Sequence, residues 1–321
     1  MQAILAVTVP FFALVLCGYL AGRFHILPET AIPGLNGFVL YFALPCMLFR
    51  FGASLPVVQV LNPVVLAITV VAALILVIGT VALTRSPRVP MRDAALGALT
   101  VAWPNAGFMG VPLLAALLGQ AAAGPVITTL LVDLFFTSSI CLALAQSKDA
   151  PTPGGQPGAW RLLKGTLTNP LPVAIALGLV FSMMQWKLAG PVDSIVRMLG
   201  DAASPVALFA IGTVLWRAGK HVHTRTPVEL FLPLALAKLL LHPLIVLALG
   251  FGAIKLGAPL DPFTLKVIVL SAALPSASSV SLLAERYGAD NGRITRIIIS
   301  STVIAFVSFT LIAWLVDVRP N

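Results

Sequence analysis

The chain has 321 residues, 59% of them hydrophobic and 10% charged, with a formal net charge of +9. A soluble domain carries about 25% charged residues, so the charge here is too sparse to cover a water-facing surface, and lipid is the solvent that the composition implies. The basic residues are scattered through short loops rather than gathered in a patch, which argues against a nucleic-acid-binding surface and for a membrane protein with basic cytoplasmic loops.

A bilayer-crossing helix needs roughly 20 apolar residues. Runs of that kind occur at 4–22, 32–51, 62–83, 93–119, 124–146, 167–186, 198–216, 230–254, 263–286 and 294–316, predicting an all-α membrane protein of ten transmembrane helices. The first run is long enough to span and has no basic residue before it, so it reads as a helix rather than a cleaved leader. Span 2 carries Leu44-Pro45-Cys46-Met47-Leu48-Phe49. Span 4 is interrupted by Trp103-Pro104-Asn105-Ala106-Gly107-Phe108-Met109-Gly110-Val111-Pro112: Pro104 cannot continue the hydrogen-bond ladder, and glycines weaken a helix. Span 7 is the least regular, because Asp201 and Pro205 interrupt it early. Span 9 breaks at Leu274-Pro275-Ser276-Ala277-Ser278-Ser279. Backbone groups freed in hydrocarbon cost several kcal/mol each, so such breaks persist only where protein or water covers them.

Two features organise the chain. The connection 147–166 contains Pro151-Thr152-Pro153-Gly154-Gly155-Gln156-Pro157-Gly158, a flexible-linker composition, and falls after the fifth span. It divides the chain into 1–146 and 167–321. Five spans on each side is an odd number, so two copies of the unit must lie in opposite orientations, as in an inverted repeat. The loops after spans 1, 3, 5, 7 and 9 hold thirteen of the twenty lysines and arginines and the opposite side holds six, which places the odd loops in the cytoplasm and both termini outside.

The run Asn105 to Pro112, the Leu44-Pro45 to Leu48-Phe49 segment, Thr168-Asn169-Pro170-Leu171, Ala273 to Ala277 and the downstream Glu285-Arg286-Tyr287-Gly288 together resemble the auxin efflux carrier family. That family includes plant auxin exporters and bacterial malonate and malate permeases. The resemblance covers essentially the whole chain. It implies two inverted five-helix repeats similar to the bile-acid sodium symporters, with helices 4 and 9 broken and crossing at mid-membrane. Helices 1, 2, 6 and 7 would form a scaffold, and 3–5 with 8–10 a moving core. The 147–166 linker lacks the long hydrophilic loop of the large plant carriers, which favours the compact bacterial form in an inner membrane.

The breaks also make chemical sense. A half-helix N-terminus presents unsatisfied N–H groups that suit an anion. Asn105, Gly107, Ser276, Ser278 and Ser279 are therefore the candidate substrate contacts, and Pro104 and Pro275 the residues that break the helices. Asp133 and Lys238 are ionisable groups within spans, where charge is expensive and usually functional. Lys238 shares a helix face with His242, four residues on. Lys238 either supplies positive charge to an organic anion, pairs with Asp133, or simply bonds to backbone carbonyls. Asp133 and His242 are the candidates for ion coupling. Phosphate-binding, dinucleotide and zinc-protease motifs are absent from the sequence, and no cofactor or metal is expected.

The expected function is secondary transport of a small mono- or dicarboxylate by an elevator motion, in a homodimer paired through scaffold helices. The alternative is a membrane-embedded sensor or an intramembrane enzyme, for which Asp133 with His242 is the one acid–base pairing on offer.

Overall fold

The computed structural model describes residues 2–146, 170–221 and 226–318. The 147–166 linker lies outside the described residues, as does the start of span 6. The described chain is helical, with isolated bridges but no strands among the described residues. Among the described residues, seven helices are each long and apolar enough to cross a membrane: α1 (Gln2–Arg23), α2 (Glu29–Ser54), α3 (Pro63–Thr84), α6 (Gln120–Gln146), α8 (Gly190–Arg217, continuing to His221), α9 (Leu232–Lys255) and α12 (Asn291–Leu315). Shorter apolar helices are α5 (Ala106–Leu118), α7 (Pro170–Met184) and α10 (Pro262–Ala272). Two more short helices, α4 (Met91–Ala102) and α11 (Ser279–Arg286), complete the set that positions the site.

The spans expected at 93–119 and 263–286 each correspond to two helices, α4 then α5 and α10 then α11. The span expected at 198–216 is present, but the interruption expected within it is corrected. There the structure has one continuous helix from Gly190 with Pro205 inside it. Pro205 lies exposed on the helix surface, and the missing amide does not stop a helix this long.

α1 packs along α8, and α2 along α7. The first contact is made backbone to backbone. A methyl group at Gly18 would overlap the carbonyl of Phe209, and one at Gly212 would overlap the carbonyl of Val15. Without a hydrophobic driving force between helices in lipid, small residues that let backbones meet supply the attraction. The remaining helices pack mainly on one another: α3 on α4 and α9, α10 on α6 and α9, and α12 on α9 and α11. Val65, Ile68 and Ala72 of α3 meet Val246 of α9 and Leu265, Ile268 and Val269 of α10 in a separate apolar cluster.

Four turns are widened to π geometry, at Val39–Ala43, Ala106–Gly110, Asp133–Thr137 and Ala237–Leu241. Three of them begin six residues before a proline: Pro45, Pro112 and Pro243. The cause is steric. A proline ring collides with the carbonyl four residues back and offers that carbonyl no N–H, and a wider turn relieves the collision. The turn beginning at Asp133 has no such proline. Instead its first residue accepts a hydrogen bond from the Thr137 hydroxyl, 3.2 Å away.

Candidate functional site

The two helix breaks meet. α4 ends at Ala102, and the chain then runs extended through Trp103 and Pro104. α10 ends at Ala272, and the chain turns through Ala273 to Ser278. These stretches lie antiparallel, with Pro104 opposite Ser276. The Asn105 amide donates to the Pro275 carbonyl at 2.9 Å, and the Ala277 amide donates to the Trp103 carbonyl at 3.0 Å. Each break thus satisfies part of the backbone that the other leaves bare, which answers the cost of irregular chain in an apolar interior. Side chains add two ties. The Ser276 hydroxyl donates to the Thr100 carbonyl at 2.8 Å, and the Ser276 amide donates to the Ser301 hydroxyl of α12 at 3.2 Å.

What remains unsatisfied lies at the beginnings of the second half-helices. The Asn105 carbonyl accepts from the Met109 and Gly110 amides, but the Gly107 and Phe108 amides find no backbone acceptor among the described residues. The Ser278 and Ser279 amides are in the same position at the start of α11. The Asn105 side chain is 4% exposed and makes no hydrogen bond to any described residue. Neither polar atom of this amide is fully enclosed, so the tip of the side chain stays open to solvent or solute. It stands at the N-terminus of α5, whose free donors are complementary to negative charge, while the N-terminus of α11 lies at the other end of the antiparallel pairing.

The candidate residues fall into three groups. Asn105 and Gly107 begin α5, and Ser278 and Ser279 begin α11, half-buried. Gly107 has no backbone pressed against it; a methyl there would make ordinary contact with Leu130. Ser276 is placed at the crossing, but its hydroxyl proton is committed to Thr100. Pro104 and Pro275 occupy the paired extended stretch itself.

Lys238, Asp133 and His242 form the third group, and all are buried. Lys238 and Asp133 make no ion pair within 4.0 Å, although their charges lie within electrostatic reach of one another. The Lys238 ammonium instead donates to the carbonyl of Ala272 at 2.7 Å and meets His242 Nδ1 at 2.9 Å. Ala272 is the last residue of α10, so the ammonium caps a helix C-terminus, where freed carbonyls and the helix dipole favour a cation. Of the options the sequence leaves for Lys238, the structure shows the bond to a backbone carbonyl, which is compatible with its charge also serving an anion. Asp133 keeps one oxygen on Thr137 and leaves the other without a partner. It borders a cavity of about 10 Å³ shared with Thr69, Pro104, Thr129, His242 and Ser271, room for roughly one water.

Sequence reasoning missed Thr100, Thr129, Ser271 and Ser301. Thr129 and Ser271 are 3.1 Å apart and join α6 to α10. Their signal was weak, because a hydroxyl in an apolar helix usually bonds the carbonyl three or four residues back, and Thr100, Thr129 and Ser301 do that as well.

The sequence matches the family model described as "Membrane transport protein" over residues 3–155 and 159–313. It is 28% identical to a protein of Rhizobium meliloti named "Putative malonate transporter", with 98% of this chain and 97% of that protein aligned. It is 23% identical to the uncharacterized transporter YfdV of Escherichia coli K12, over 87% of this chain and 86% of the relative. The lysosomal cholesterol signaling protein of mouse is 26% identical over 95% of this chain, which spans 36% of that longer protein. With its apolar helices and a family match running through both halves, the chain belongs to the membrane transport protein family, that of the auxin efflux carriers.

Proposed function

We propose that the protein is a secondary transporter of a small mono- or dicarboxylate, and that the solute binds where the two broken segments meet. The observation that carries this reading is the Asn105 side chain, largely buried yet without a protein partner, at the head of the free Gly107 and Phe108 amides, with the free Ser278 and Ser279 amides across the crossing. A carboxylate offers the acceptors that all of these donors lack. The name of the Rhizobium meliloti relative supports malonate as the first acid to test.

In this reading the chain comprises ten transmembrane helices in two inverted five-helix repeats, with α4–α5 and α10–α11 as the fourth and ninth. The close packing of α1 on α8 and of α2 on α7 supports a scaffold of helices 1, 2, 6 and 7, against which the rest moves as an elevator. Both termini face outside. Lys238 holds the C-terminal end of α10, and its charge balances part of an arriving anion's. Asp133 and His242 are the groups through which protons couple.

Uptake of radiolabelled malonate into proteoliposomes, with an imposed potential, proton gradient or sodium gradient, tests the proposal. Wild type is expected to accumulate the acid and Asn105→Ala is not. Full uptake by Asn105→Ala rules out the crossing as the binding site. Asp133→Asn is expected to change the pH profile of uptake, and an unchanged profile removes Asp133 from coupling.

A further inference from the structure

A larger cavity than the one beside Asp133 lies away from the crossing. It has a volume of about 600 Å³, within the range of roughly 300–1,000 Å³ typical of small-molecule sites. Its walls come from α2, α5 and α8, and it contains one cation and one anion, Arg50 of α2 and Asp201 of α8. Arg50 Nη1 donates to Asp201 Oδ1 at 2.7 Å. That is the one hydrogen bond Arg50 makes to a described residue. A guanidinium has five N–H donors in a planar fork, so most of its donors remain available. Both side chains are substantially exposed, 39% and 64%, and ion pairs in such settings contribute little, about 0–1 kcal/mol. A second carboxylate can therefore dock on the fork at small cost, whether Asp201 stays or yields.

The opposite wall points to where such a solute goes next. Pro112, Ala115 and Ala116 line the cavity from one face of α5, the helix that begins with the free amides beside Asn105. Seven residues at 1.5 Å rise separate Pro112 from Asn105, about 10 Å. These three side chains are small and apolar, and Gln120 at the start of α6 is neutral, so the guanidinium is the cavity's dominant attraction for an anion.

We infer that Arg50 is a capture subsite for the carboxylate of a small organic acid, seated in the cavity between α2, α5 and α8 and preceding the crossing. Asp201 moderates it: by sharing the guanidinium, it keeps the acid's residence short enough to pass inward. This inference rests on the proposed function for the identity of the solute, but its test does not use transport.

The test is labelling of Ala116→Cys, an exposed position on the cavity wall, in the full chain with Cys17, Cys46 and Cys141 changed to serine. The probes are an anionic sulfonate and a cationic trimethylammonium methanethiosulfonate. Malonate in the millimolar range is expected to slow labelling about fivefold or more, and the neutral diamide of malonate is not. Arg50→Gln is expected to abolish the protection and to lower the anionic-to-cationic rate ratio about tenfold. Asp201→Asn is expected to lower the half-protecting malonate concentration. Protection that survives Arg50→Gln overturns the inference, as does its absence in the wild-type background. Should Arg50→Gln not fold, Asp201→Asn still decides, since an unchanged or raised half-protecting concentration overturns the inference. Failure of wild type to take up malonate bears on the proposed function alone.

Discussion

Replacing Asn105 with alanine should separate two properties that usually fall together. The side chain is 4% exposed and hydrogen-bonded to no described residue. Its backbone amide and carbonyl, which hold Pro275, Met109 and Gly110, are untouched by the substitution. Alanine therefore removes a buried amide without breaking a bond. Since the polar tip of the amide is not fully enclosed, deleting it should change stability little, within about 0.5 kcal/mol. Binding should move the other way. A hydrogen bond to a charged group contributes about 1.5–3 kcal/mol, so affinity for malonate should fall about 10- to 150-fold. The assay is thermal unfolding of the purified protein across a malonate titration. In its absence the Asn105→Ala midpoint should lie close to that of wild type. With malonate, wild type should gain stability through ligand linkage, while the variant should need at least tenfold more acid for the same gain. A variant that melts lower without ligand, yet responds to malonate like wild type, refutes the reasoning, because it would show the amide to be structural.

Lys238→Met should leave the Ala272 carbonyl without its donor and lower stability by about 2–3 kcal/mol; an unaltered melting midpoint would show that the ammonium does not hold the end of α10. Gly212→Leu should force α1 from α8 and cut the yield of folded protein sharply, whereas Gly79→Leu, with nothing within 4 Å of the added atom, should not; size-exclusion profiles compare them. Asp261 caps α10 through the Thr264 amide at 2.9 Å. Partial burial would raise its pKa, but hydrogen bonds from Thr264 and neighbouring amides outweigh that and hold it below the usual 3.8. A carboxylate with a depressed folded pKa contributes stability that is present above its unfolded pKa and lost as pH falls through the folded one. Asp261→Ala should therefore cost about 1 kcal/mol or less at neutral pH, and the difference from wild type should shrink in melts taken at successively lower pH below about 4.

The sequence made the breaks legible because proline and glycine act locally: Pro104 and Pro275 deny the ladder an amide wherever they stand. That the breaks cross was implied by the family resemblance, but the bonds that tie them were illegible, since the one from Asn105 to Pro275 runs between main-chain atoms far apart in the chain and leaves no mark on side-chain chemistry. Pro205 misled because the same residue interrupts a helix in one place and rides on its surface in another. The widened turns before Pro45, Pro112 and Pro243 share a fixed offset that could have been anticipated from steric rules. Lys238 and Asp133 were singled out by charge alone, and charge could not say that the ammonium would find a carbonyl of α10 before it found the carboxylate.

The seam between Pro104 and Ser276 is knitted from atoms that every amino acid possesses. Mutation can replace the residues around it one after another and leave the stitch in place, provided a kink persists on each side. A relative that retains fewer than one position in three is therefore free to keep such a knot without keeping its letters.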